Sequence, residues 1–391
     1  MRDFSIKEVK NKKDFKEFLD FPARLYKGDK NWIRPLDKDI EDIFNPQENK
    51  FFRTGDAIRW ILKNNEGKTI GKVAAFFEKN TAKSLEQLTG GVGFFDCIDD
   101  QEAANMLFDA AKKWLEDKGM EAMDGPINFG TRENFWGCLI EGFYEPVYKM
   151  NYNYPYYAKL FENYGFKNYF NQYTYHMPLD PSLLSRSVLE KAERIKKHED
   201  YSVLNYERKN PDKYINDFIT IFNEAWARFP GVKPMKKIQA AAMFKAMSPI
   251  LDPRLLIFEY YKDRPIAFFI MIPDINQVLK SFNGKLNLIN KLTLVMKVRF
   301  LKRVTRALGL IFGVVPDFQG KGLEAAMIAY FAEEVIEPGF NYTDLEMNWI
   351  GDFNPSMMKL MDSIGAKIRK VHVTYRYLFD QNKTFVRASK V

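Results

Sequence analysis

Residues 155–175 read PYYAKLFENYGFKNYFNQYTY and residues 355–375 read PSMMKLMDSIGAKIRKVHVTY. At a constant offset of 200 positions they share Pro, Lys, Leu, Gly, Lys, Thr and Tyr. Pro155 and Pro355 are placed to open a helix, because a proline ring pre-sets the first turn. Gly165 and Gly365 stand where that helix would stop in a left-handed residue. An alternating strand follows in each copy, NQYTYHMPL and KVHVTYRYLF. A helix-glycine-strand unit repeated this far apart points to a duplicated domain, and a chain of 391 residues is long enough for two.

The remaining segments fit two similar halves. Residues 57–79 and 254–274 each read as a hairpin, two apolar alternating runs around a polar turn, the second turning at Lys262 to Arg264. Each half then has a helix (DQEAANMLFDAAKKWLEDKG, then LEAAMIAYFAEEVIE) followed by a strand (EAMDGPIN, then YTDLEMNWI). Residues 181–201 read as a bridging helix. The division expected is 1–180, a linker helix at 181–200, and 201–391. The fold class is α/β (α+β), each half a mixed, mostly antiparallel sheet flanked by helices.

Several functions are excluded or disfavoured. No apolar run reaches the roughly 18 to 20 residues that span a bilayer, and MRDFSIKEVKNKKDF has no signal-peptide core. Two cysteines, Cys97 and Cys138, make no disulfide framework, so a reducing cytoplasm is the expected setting. His176, His198 and His372 are scattered and share no metal-ligand spacing with the cysteines, so no metal is expected. No G-x-S-x-G nucleophile elbow occurs. The net charge is +8, and the segment 280–306 alone carries eight bases, with no acid between Ile275 and Pro316. LNLINKLTLVMKVRFLKRV within it reads as a helix with one apolar and one basic face. It suits phosphates, an acidic carrier protein or an anionic membrane surface. Without a helix-turn-helix, zinc-finger or RNA-binding signature, nucleic acid is not an expected partner.

The chemistry concentrates in IFGVVPDFQGKGLEAAMIAYFAEEV, 311–335. An apolar strand stops at Pro316, and a loop with Gly320 and Gly322 around Lys321 opens a helix. Such a loop directs N–H groups and a helix N-terminus at a phosphate. A Walker loop fails, because Lys321 is followed by Gly322 rather than Ser or Thr. The dinucleotide pattern G-x-G-x-x-[GA] is formally met by Gly320, Gly322 and Ala325, with Asp344 and Glu346 about 20 residues on. Four residues, Pro316 to Gln319, separate the strand from the first glycine, and only some 70 residues remain for a doubly wound sheet.

VVPDFQGKG resembles the acyl-CoA loop of the Gcn5-related N-acetyltransferase superfamily, [QR]-x-x-G-x-[GA] after a strand and a proline turn. Gln319 and Gly322 match it, and Glu324 replaces the last small residue. The downstream LEMNWIGDFNPSMMKLMDSIGAKIRKVHVTYRY is similar to the family's next strand, Asn-started helix, glycine turn and closing strand. The resemblance implies a tandem member whose second half holds acetyl-CoA or another acyl-CoA through Val314, Val315, Gln319, Gly320, Lys321, Gly322, Leu323 and Asn354. In the first half GFFDCIDDQEAANML puts acids where phosphates would lie, which implies a degenerate copy. The resemblance further implies direct attack of an amine on a thioester, with Glu346 as general base. The family's helix tyrosine falls here on Met361 and Phe161, which donate no proton, so Tyr375, or Tyr377, is the expected acid. The activity implied is acyl-CoA-dependent N-acyl transfer, of an acetyl or longer group, to a small-molecule, peptide or lipid amine. The alternatives are a membrane-surface enzyme for a lipid amine fed by acyl-CoA or acyl carrier protein, and a non-catalytic CoA-binding or scaffold protein.

Overall fold

The computed structural model describes residues 4–226 and 233–388. Among the described residues, thirteen strands join one sheet. The first half supplies β1 (Ser5–Glu8), β2 (Gly55–Lys63), β3 (Thr69–Glu78), β4 (Thr89–Cys97), β5 (Ala122–Gly125), β6 (Cys138–Glu141) and β7 (Lys167–Pro178). The second supplies β8 (Tyr201–Asn205), β9 (Leu256–Tyr261), β10 (Arg264–Pro273), β11 (Arg306–Val314), β12 (Asp344–Gly351) and β13 (Lys367–Leu378). Across the sheet the order is β1-β2-β3-β4-β5-β13-β7-β12-β11-β10-β9-β8, with β6 beside β13.

The expected hairpins are β2–β3 and β9–β10. The second turns on Lys262 and Asp263 at φ 48° and 65°, the twist a two-residue hairpin needs. Two neighbouring pairs run parallel, β4–β5 and β11–β12, one in each half. A parallel pair requires a crossover, and the helices α2 (Gln101–Asp117) and α6 (Leu323–Ile336) supply it. The repeat forms α3 (Tyr157–Tyr164) and α7 (Pro355–Ser363), followed by Gly165 at φ 109° and Gly365 at φ 81°. The bridging helix is α4 (Arg186–Lys196), started by Ser185, whose hydroxyl accepts the Val188 N–H. The first half also packs α1 (Lys12–Leu25), through Phe18, against Ile61, Ala74 and Phe76 of β2 and β3.

The division of the chain at 180–200 is not the division in space. β7, the last strand of the first half, pairs with β12; β13, the last strand of the second, pairs with β5. The two closing strands are exchanged, and they pair with each other at the centre of the sheet. Gln172 stands opposite His372. Because these positions differ by the repeat offset, the pair is its own equivalent and marks a pseudo-two-fold axis. Thr174 opposite Lys370 is accordingly mirrored by Thr374 opposite Phe170. The cores follow the exchange. Tyr175 and Met177 are buried with Phe218, Phe258 and Leu345 of the second half. Val373 and Tyr375 are buried with Leu107, Phe108 and Phe161 of the first. Each half's apolar face is therefore completed by the other half's last strand.

Residues 1–200 and 201–391, produced separately, each lack that strand and expose a long sheet edge. Both fragments are expected to aggregate or to melt without cooperativity. Co-expressed, they are expected to elute as one complex with a single melting transition. Size-exclusion chromatography and circular dichroism melts check this.

Candidate functional site

The parallel pair of the second half is short. Arg306 to Gly309 lie opposite Asp344 to Met347, and beyond them β11 and β12 part. On the other side of β11, Ile270 faces Ile311 and Met271 faces Gly309, so Leu310 is an extra, bulged residue. A wedge thus opens at the bulge. From Leu310 to Val314, the edge of β11 towards β12 has no ladder partner there. Asn348 comes directly after the last pair, at the wedge apex. Its Oδ1 is buried and has no hydrogen-bond partner.

The glycine loop lies at the far end of this strand. The Val315 N–H donates to the Ile266 carbonyl (2.9 Å), and Pro316–Phe318 makes one tight turn. Gln319 Nε2 donates to the Val314 carbonyl (3.1 Å). Gly320 and Gly322 adopt φ 72° and 91°, a left-handed backbone that glycine takes without steric cost. Leu323 then begins a 14-residue helix that has no side-chain cap. The N–H groups of Gly322, Leu323 and Glu324 have no acceptor among the described residues. Free N–H groups at the positive end of a helix dipole form an anion site. The equivalent helix of the first half is closed: Asp100 Oδ1 accepts the Ala103 N–H (2.9 Å) at the start of α2. A carboxylate already occupies that terminus.

Three cations surround the open loop. Lys321 lies over the Phe318 ring at 4.4 Å. Arg194 Nη2 donates to the Lys321 carbonyl (3.1 Å), and the Lys191 side chain lies against Gly322. Both come from α4, whose inward face is Val188, Ala192 and Ile195. That spacing fixes the helix rotation and leaves Lys191 and Arg194 beside the loop. Sequence reasoning missed these two residues, because α4 and the loop lie about 130 positions apart and only the fold brings them together. Asn348 was also missed. Its one signal was a second polar residue, two positions after Glu346, in LEMNWI. Beneath the loop, burial and then the Glu324 charge push the Glu259 carboxyl up to about 9. Glu259 is fully buried on β9, and neither carboxyl oxygen has a partner.

The expected catalytic pair is placed differently from the sequence expectation. Glu346 is fully buried on β12. Its Oε2 takes a hydrogen bond from Lys370 Nζ (2.5 Å), and Oε1 lies 3.3 Å from Arg369 Nε and 3.6 Å from Arg306 Nε. A general base must offer a lone pair to substrate. Glu346 is buried among three cations of β11 and β13, with Oε2 held by Lys370 and Oε1 making no hydrogen bond. Asp124 is its counterpart across the axis, since Gly125 faces Tyr375 as Met347 faces Tyr175. Arg376 grips Asp124 with two hydrogen bonds (2.6 and 3.0 Å).

Tyr375 lies in the wrong half to act at the loop. On β13 it is buried in the first core, stacked on Phe161, and its hydroxyl donates to Glu162 (3.0 Å). Burial holds its pKa well above the ordinary range. Three strand spacings, roughly 14 Å, separate β13 from β11. Tyr377 also packs in the first half, against Tyr164 and Phe166. The exchange sets Tyr175 in the second core instead. Asn354 starts α7, with Oδ1 accepting the Met357 N–H (3.2 Å). Met361 is buried.

Two stability measurements follow. Lys370→Met leaves a buried carboxylate without its hydrogen bond, and is expected to cost about 3–5 kcal/mol by urea melting at neutral pH. The folded Glu259 carboxyl titrates near 9, against about 4.3 in an unfolded chain. Folding therefore takes up a proton between those values. This contribution is fully present below the lower value and is lost as pH rises towards the upper one. Glu259→Gln is expected to match wild type near the acid end and to exceed its melting temperature at the alkaline end.

No family model matches the chain. The bacterial ceramide synthase of Caulobacter vibrioides is 25% identical over 384 residues, 95% of this chain and 97% of that protein. Protein YghO of Escherichia coli is 25% identical over 376 residues, 95% and 94% of the two chains. A tandem GNAT protein from the clavulanic acid biosynthesis pathway superposes with a TM-score of 0.56 at 11% identity, over 98% of this chain and 100% of the other. The GCN5-related glucosamine N-acetyltransferase region of a fungal multi-domain β-N-acetylglucosaminidase gives a TM-score of 0.55 at 11% identity, over 96% of this chain and 38% of that one. On these matches along nearly its whole length, the chain has the tandem fold of the Gcn5-related N-acetyltransferases.

Proposed function

We propose that this protein is an acyl-CoA-dependent N-acyltransferase whose acceptor is a lipid amine. The observation that carries the reading is the uncapped helix terminus after two left-handed glycines, ringed by Lys191, Arg194 and Lys321, beside a strand edge without a ladder partner. Those N–H groups and cations suit a pyrophosphate. The edge from Val314 back to Leu310 suits the amides of a pantetheine arm, as an added strand would. Val315, Gln319 and Leu323 shape the loop, and Asn354 caps α7, the helix that follows β12.

The thioester would then lie towards the bulge. The amine nitrogen attacks the carbonyl carbon, a C–N bond forms, the C–S bond breaks, and the thiol leaves with the proton the amine gives up. Asn348 Oδ1, buried and unpartnered, is placed to accept an N–H of that amine. Orientation supplies much of such a rate. The acceptor class rests on the name of the Caulobacter relative, which aligns along nearly all of both chains. A second reading, a CoA-binding scaffold, is favoured by Met361 in the family's tyrosine position and by the locked Glu346.

Calorimetry with CoA, acetyl-CoA and palmitoyl-CoA tests the donor, and turnover of a long-chain amine such as a sphingoid base tests the acceptor. Palmitoyl-CoA is expected to bind and to be consumed. Gly322→Glu should abolish binding, and Arg194→Ala should weaken it about tenfold, roughly 1.4 kcal/mol. Asn348→Ala should lower kcat/KM about 10- to 100-fold, a loss typical of one positioned hydrogen bond. Thioester binding without turnover of any amine would put the scaffold reading first.

A further inference from the structure

The acid-free basic segment is not one continuous helix. It contains α5 (Leu288–Val295), which continues into a wider turn over Met296–Phe300. Leu294 and Val298 point into the core. Ile289, Leu292, Met296 and Phe300 follow one another at spacings of three, four and four residues, which places them on one face. That face is outward: they are 73%, 64%, 48% and 72% exposed, and Leu288 and Leu301 extend it at 72% and 52%. A surface helix normally turns its polar side to water. Here the helix is apolar inside and apolar again outside, with its charges along the flanks.

Those charges are of one sign. Lys285, Lys291, Lys297, Arg299 and Arg303 have no carboxylate within ion-pair distance among the described residues. Lys302 is spent on the Gly339 carbonyl (2.6 Å). Elsewhere the chain pairs its surface bases freely, as at Lys196 with Glu333 and Arg264 with Glu224. Exposed apolar groups of this extent mark a contact surface rather than chance exposure.

We infer that this ridge is a docking surface for an anionic lipid bilayer, lying flat with its apolar side chains in the acyl boundary and its cations at the headgroups. Two features choose the occupant. The apolar side chains are half to three-quarters exposed along one face, and a fluid bilayer receives such a face without a matching groove. The flanking cations supply the attraction that anionic headgroups, and not zwitterionic ones, return. The position also fits. The ridge leads directly into Arg306 at the start of β11, and the glycine loop follows its other end, roughly 25 Å away at strand rise. A membrane at the ridge leaves the phosphate end in water, with the wedge between the two. The inference deepens the lipid-amine reading by naming where lipid is met. It stands on the ridge alone, and vesicle binding tests it without donor or turnover.

The experiment is co-sedimentation of the full chain with vesicles of phosphatidylcholine alone and of phosphatidylcholine mixed equally with phosphatidylglycerol. Wild type is expected to bind the anionic vesicles at least about tenfold more tightly, with affinity falling as salt rises. The double variant Ile289→Asp, Leu292→Asp and the double variant Lys291→Glu, Arg299→Glu are each expected to lose that binding at least about tenfold. All four side chains are exposed, so unchanged melting temperature and unchanged CoA affinity show that the fold is kept. The inference is overturned if wild type does not sediment with anionic vesicles, or if either variant sediments as wild type does. It is also overturned if an acidic carrier protein, titrated in parallel, binds wild type but not the variants while vesicles bind neither.

Discussion

The pairing of β7 with β13 is the contact on which the rest depends. It joins the halves, carries the pseudo-two-fold axis through Gln172 and His372, and makes each core a joint product of both. The axis is polar and fully enclosed. Thr374 donates to Gln172 Oε1 (2.7 Å), and His372 Nε2 lies 3.1 Å from the Asn151 carbonyl. Burial pulls the His372 pKa down to about 4, so the imidazole is neutral at ordinary pH and adds no buried charge. Flanking the axis, Asp124 with Arg376 ties β13 to its neighbour β5, and Glu346 with Lys370 ties β13 across β7 to β12. A buried ion pair contributes little net stability, but a mispaired register would strand its charges. These pairs therefore specify which strand lies where.

The two halves share a scaffold and differ at one helix terminus. Both have a bulged strand and a crossover helix beside a short parallel pair; past that pair the first half stays closed, with the Ile127 N–H donating to the Val92 carbonyl (2.9 Å), whereas the second opens into the wedge. In the first half Asp100 supplies the negative end that the helix dipole of α2 seeks. In the second half no side chain does so at α6, and two glycines bring the chain into that helix without side chains in the way. Cations from the bridging helix complete the difference. The linker is thus part of the site: it holds Arg194 on the loop backbone while its apolar stripe packs inward.

Much was legible in the chain itself. The repeat at an offset of 200, both hairpins, the crossover helices and the glycine loop are local patterns, set by turn chemistry and by periods of two and 3.6 residues. Gly320, Gly322 and the start at Leu323 follow from the requirement for a left-handed entry into a helix, whereas Gln319 is implied only by the family resemblance. The sequence also determined that 280–306 would be basic and studded with apolar residues.

Partnership at a distance was decided only in three dimensions. Nothing in KVHVTYRYLF says that it completes the first half's sheet rather than its own, because equivalent strands of a duplicated chain present the same pleat to either partner. That choice took Tyr375 away from the loop, put Tyr175 in the second core, and gave Glu346 the ammonium that locks it. It likewise took the fold to bring Lys191 and Arg194 to the glycine loop, and to turn Ile289, Leu292 and Phe300 outward. Periodicity tells which residues share a face, but which face is covered depends on what the rest of the chain packs against it.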